Sequence, residues 1–94
     1  MRKPPEIQRE VYFSGNVQGV GFRFQTCEIA RNFEVTGYVE NLDDGRVHLL
    51  AEGTVGELDR FMAEIQNDLG RYIRQNSIAE RHGSGEFQRF EIRR

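Results

Sequence analysis

Cysteine occurs once in the 94 residues, at Cys27. A single thiol excludes an internal disulfide and any metal cage built from several cysteines. The two histidines, His48 and His82, lie too far apart in sequence to read as a ligand pair. Adjacent carboxylates are confined to Asp43 and Asp44, where a hairpin turn calls for turn formers. No metal site and no cofactor are expected. A basic excess is also missing: 13 Lys and Arg against 15 Asp and Glu leave a net charge of −2. That balance argues against a dedicated nucleic-acid binder. No apolar run approaches the roughly 20 residues that span a bilayer. The N-terminal MRKPPEIQRE lacks a signal-peptide core. The expectation is a cytoplasmic chain, without membrane or nucleic-acid partners, acting as a monomer. Repeats, low-complexity tracts and internal linkers are absent, so the length reads as one domain over residues 7–94. Residues 1–6, with Pro4-Pro5, read as a flexible N-terminal tail.

What is present is a clear alternation of patterns. Ile7, Arg9, Val11 and Phe13 point to one side of a half-buried strand, with Gln8, Glu10, Tyr12 and Ser14 on the other. Phe22, Thr26, Ile29, Ala30 and Phe33 then fall at helical spacing. VTGYVENL and RVHLLAEG read as two strands joined by DDG. Thr54 and Glu57 form a T-x-x-E capping box ahead of a helix whose buried stripe is Leu58, Phe61, Met62, Ile65 and Leu69, with Gly70 as its stop. Residues 71–85 carry the least pattern, and a short strand is placed around Ile78 to Arg81. FQRFEI closes the chain as a strand with Phe90 and Ile92 inward. The order is β-α-β-β-α-β, an α+β ferredoxin-like sandwich with two helices on one face of a four-stranded antiparallel sheet. The other face is expected to stand open to water.

The DDG turn predicts the hairpin register. A three-residue loop with Gly45 left-handed sets Leu42 opposite Arg46, Val39 opposite Leu49 and Asn41 opposite Val47. The inward apolar residues then share one face. Asn41 lies on the helix-covered side at a strand end where cover runs out. Glu40 falls opposite His48 on the other face, close enough for an ion pair.

SGNVQGVGFR, residues 14–23, places three glycines and one arginine between the first strand and the first helix. The loop matches neither common nucleotide fingerprint. Gly21 is followed by Phe22-Arg23 rather than Lys-Ser/Thr, and Phe24 stands where a third Rossmann glycine belongs. Backbone N–H groups beside a helix N-terminus nonetheless suit a phosphate-sized anion. Arg23 adds up to two charge-assisted hydrogen bonds.

GNVQGVGFR resembles the first signature of the acylphosphatase family, and GYVENLDDGRVHLLAEG, residues 37–53, resembles the second. Both stand in the family's order and spacing, and the resemblance covers nearly the whole chain from Ile7. It implies the ferredoxin-like fold already read from the pattern. It also implies an enzyme that hydrolyses the carboxyl–phosphate anhydride of a small-molecule acyl phosphate, without metal or cofactor. Position by position, Arg23 resembles the phosphate-binding arginine and Asn41 the asparagine that orients the attacking water. Gly15, Asn16, Val17, Gln18, Gly19 and Val20 resemble the phosphate cradle, with the amides of residues 16–20 as its donors. Glu40 departs from the pattern, where the family often carries a basic or neutral residue. No side chain near the loop stands out as a general base, and the resemblance leaves that task to the substrate's own phosphate.

Two further readings stand beside this one. A non-catalytic anion-binding module would keep the loop and Arg23 without turnover. An open sheet face bearing Tyr12 and Tyr38 would suit stacking of RNA bases, although the aromatic pattern of RNA-recognition sheets is absent. Cys27 reads as an inert small side chain.

Overall fold

The computed structural model describes residues 6–94. The expected tail lies outside the described residues except for Glu6, whose carbonyl accepts the Gly83 amide at 3.2 Å. The elements are β1 (Ile7–Gly15), α1 (Phe22–Ala30), β2 (Thr36–Asn41), β3 (Val47–Gly53), α2 (Val55–Leu69), β4 (Ile73–His82) and β5 (Phe90–Arg93). No helix among the described residues is long and apolar enough to cross a membrane.

The α+β ferredoxin-like plan holds, but the sheet has five strands, in the order β4-β1-β3-β2-β5. It is mixed rather than wholly antiparallel, because β5 pairs parallel to β2. Both late segments are strands, one on each edge. β4 runs for ten residues against β1, far longer than the expected stretch around residues 78–81. Its side chains are almost all exposed, so no hydrophobic alternation marks it.

The helices cover one face, where Val11, Phe13, Val39, Val47, Leu49 and Ala51 are buried. Phe22, Thr26, Ile29 and Ala30 of α1 and Leu58, Phe61, Ile65 and Leu69 of α2 pack onto them. Met62 is only half-buried, at the border of this core. α1 stops before Phe33, whose ring meets Phe61 at 6.1 Å. Thr54 caps α2 by accepting the Glu57 amide at 3.3 Å. The Glu57 carboxylate, however, accepts the Glu34 amide at 2.7 Å instead of closing the box. Gly70 ends α2 in right-handed geometry and continues into a single 3-10 turn.

The β2–β3 hairpin has the expected register, with Val39 opposite Leu49, Glu40 opposite His48 and Asn41 opposite Val47. Gly45 takes φ 94°, and the Leu42 amide donates to the Arg46 carbonyl at 2.9 Å. That positive φ is what lets three residues close this turn. His48 Nδ1 meets Glu40 at 2.8 Å, and Nε2 meets Glu10 of β1 at 2.8 Å. The three central strands are thereby tied together, and the hydrogen bond from His48 holds the Glu10 carboxyl below its ordinary value.

The second face is not open to water as expected. With β4 and β5 on opposite edges, the segment joining them must cross it. Ser84 donates its amide (2.8 Å) and hydroxyl (2.6 Å) to Glu52, and the Gly85 amide adds a bond at 2.9 Å. Gln8 donates to the same carboxylate at 2.6 Å. Phe87 sets its ring against Tyr38 at 5.8 Å. The rings that suited RNA stacking are engaged within the chain: Tyr12 stacks on His48 at 4.7 Å, and Arg93 lies 3.5 Å over Tyr38.

Glu52 is only 1% exposed. Burial alone would raise its carboxyl, but the donors from Ser84, Gly85 and Gln8 together hold it below its ordinary 4.5. A lowered folded-state value contributes stability above the unfolded value, and that contribution is lost as pH falls through the folded one. Melting temperature should therefore drop as pH is lowered below 4.5. Glu52→Gln should cost about 1–3 kcal/mol at neutral pH and flatten that drop. An acid profile identical in the variant and the native chain would contradict the anchoring role.

Candidate active site

β1 runs into the glycine loop at Gly15, and the loop delivers the chain to the head of α1. Val17 drops its side chain fully into the core. The Gln18 side chain donates to the carbonyls of Leu42 (2.8 Å) and Arg46 (2.9 Å). These two bonds clamp the loop onto the β2–β3 turn, beside the strand end that carries Asn41. Gly19 and Gly21 take φ 81° and 79°, a region that disfavours any side chain. Gly21 is the N-cap of α1 and offers no side chain to the first helical amides.

Among the described residues, no acceptor pairs with the backbone amides of residues 17–24. Those donors, together with the positive end of α1, favour negative charge. The only ionic side chain in that first turn is Arg23, which the helix dipole opposes. Among the described residues no carboxylate lies within pairing distance of it, unlike Arg9, Arg46, Arg60 and Arg81. An unpaired guanidinium beside unpaired amides is an arrangement that an anion completes.

Arg23 and Asn41 line one cleft of about 280 Å³, with Val17, Gly19 and Gly21 on its loop side. Asn41 is exposed, whereas Val39, two residues back on the same face, is fully buried. Cover does run out at this strand end. Of the remaining loop residues, Val20 lines the neighbouring groove, and Gly15, Asn16 and Gln18 do not line the cleft. The Asn16 amide donates to the Tyr72 carbonyl at 2.9 Å, so the free donors begin at Val17 rather than Asn16. The expected amide cradle is shortened at that end.

Four residues not expected at the site also line the cleft: Phe22 and Phe24 from α1, Ile92 from β5, and Arg94 just past that strand. Parallel pairing sets Arg93 opposite Glu40, which brings Arg94 beside Asn41. Adjacency to Arg23 was the one sequence signal for Phe24. Cys27 lies on α1 away from the cleft, and burial pushes its thiol up, in keeping with an inert role.

The acylphosphatase family model matches residues 9–92. An acylphosphatase of Syntrophotalea carbinolica is 37% identical over 92 residues, covering 93% of this chain and 96% of its own length. One of Archaeoglobus fulgidus is 49% identical over 61 residues, covering 65% of this chain and 68% of its own. The crystal structure of acylphosphatase from Bacillus subtilis superposes with a TM-score of 0.86 at 34% identity, covering 94% of this chain and 99% of that one. Sequence match and structural match agree, and this chain belongs to the acylphosphatase family of hydrolases.

Proposed function

We propose that the chain hydrolyses the anhydride bond of small-molecule acyl phosphates, with Arg23 and the free amides from Val17 onward holding the phosphoryl group and Asn41 orienting the attacking water. The carrying observation is the convergence in one cleft of an unpaired guanidinium, the loop residues Val17, Gly19 and Gly21 whose amides have no acceptor, and an exposed asparagine. Water adds its oxygen to phosphorus as the bond from phosphorus to the carboxyl oxygen breaks. The carboxylate leaves with the bonding electrons, and the water's proton passes to a phosphoryl oxygen. An acyl phosphate is already activated, so positioning and charge stabilisation supply the catalysis without a nucleophilic side chain. Gln18 is assigned a positioning role through its clamp on the hairpin turn, and Glu40 a structural one through His48. The same proposal covers a single domain over residues 7–94, acting as a monomer in the cytoplasm.

Among the described residues no three His, Cys, Asp or Glu side chains converge as metal ligands; the charge-neutralising groups on the cleft are Arg23, Arg94 and backbone N–H. Full hydrolysis of a synthetic acyl phosphate is expected after exhaustive chelation, with inorganic phosphate as a competitive inhibitor. Restoration of a chelated, inactive protein by Mg²⁺ or Zn²⁺ would contradict the cofactor-free mechanism. Phosphate binding without turnover would instead favour a non-catalytic anion module.

A further inference from the structure

The phosphoryl group accounts for only part of the space beside Arg23. A phosphate occupies on the order of two or three water volumes, roughly 60–90 Å³, in a cleft of about 280 Å³. The cleft also adjoins a second groove of about 560 Å³, and the two share Gly21 and Phe24. Phe24 is 62% exposed, whereas Phe22, the other phenylalanine of α1, is buried. Four large apolar residues stand exposed among the described residues, and two of them, Val20 and Phe24, line this groove. At its far side, Arg71 is held over the Tyr72 ring at 4.6 Å and donates to the Asp68 carbonyl at 3.3 Å.

In-line displacement at phosphorus decides which wall the acyl group meets. The leaving oxygen lies opposite the attacking water. With water held by Asn41 at the end of β2, the acyl group projects away from that strand, toward the head of α1. Phe24 stands there with its ring uncovered. We propose that Phe24, backed by Val20, is the platform on which the acyl group packs, and that it biases the site toward aromatic acyl phosphates over small ones such as acetyl phosphate. The inference rests on the acyl-phosphate reading above and adds a specificity residue to it.

Phe24→Ala and Phe24→Tyr test this through the ratio of kcat/KM for benzoyl phosphate to that for acetyl phosphate. An aromatic stacking contact of ordinary strength corresponds to about a five- to tenfold fall in that ratio for Phe24→Ala. Phe24→Tyr, which keeps the ring, should restore it. The inhibition constant of inorganic phosphate, which has no acyl group to stack on the ring, should move by less than about twofold. A ratio unchanged in Phe24→Ala, with both substrates still hydrolysed, would overturn the platform while leaving the activity intact. Failure of the native chain to hydrolyse either substrate would overturn both.

Discussion

Arg23→Gln should fold as the native chain does and hydrolyse acyl phosphates roughly 10³–10⁵-fold more slowly. The expected loss is large because Arg23 stands among the loop amides, whereas the other cation on the cleft, Arg94, lies past β5 beside Asn41. Arg23 has no carboxylate partner among the described residues, so its guanidinium is free for the phosphoryl oxygens. It sits in the first turn of α1, where a cation works against the helix dipole. Removing it should therefore leave stability nearly unchanged or slightly improved. Far-UV circular dichroism and thermal melting would establish the fold, and hydrolysis of a synthetic acyl phosphate would establish the loss. A folded Arg23→Gln with activity near that of the native chain would remove the central residue from the mechanism.

Asn41→Ala should lose roughly 10²–10³ in rate, the usual cost of deleting one positioned polar group at a reacting centre. The side chain is exposed at the open end of β2. Its strand neighbours keep their pairing, because the backbone register to Val47 does not depend on it. The variant should remain folded, with the loss falling on kcat rather than on phosphate affinity. The contrast with Arg23 separates the two proposed roles, binding the anion and aiming the water. A parallel loss of phosphate binding would reassign Asn41 to the anion site.

Local chemistry was legible in the sequence, and long-range partnership was not. The β2–β3 register follows from three turn residues and the alternation beside them, so the placement of Asn41 opposite Val47 and of Glu40 opposite His48 could be read directly. The glycine loop pointed to a proposed anion site because a run of backbone donors must be satisfied somewhere. Of β4 only the stretch around Ile78 to Arg81 could be placed, since an exposed edge strand needs no apolar alternation. The parallel docking of β5 depends on a segment that crosses the sheet, and its anchor, Glu52, finds its donors at Ser84, 32 residues away. Nothing near Glu52 distinguishes it from a solvated strand residue. Gln18 shows the same limit within the site. It falls inside the loop signature, yet its side chain is committed to carbonyls 24 and 28 residues downstream. Ile92 and Arg94 enter the cleft only because β5 lies beside β2.

The division of labour between Arg23 and Asn41 is tested most directly by calorimetric titration of inorganic phosphate into the native chain, Arg23→Gln and Asn41→Ala. Phosphate should bind the native chain and Asn41→Ala with affinities within a few-fold of one another, and binding to Arg23→Gln should be lost. Equal phosphate affinity in Arg23→Gln and the native chain would contradict the assignment of the anion site.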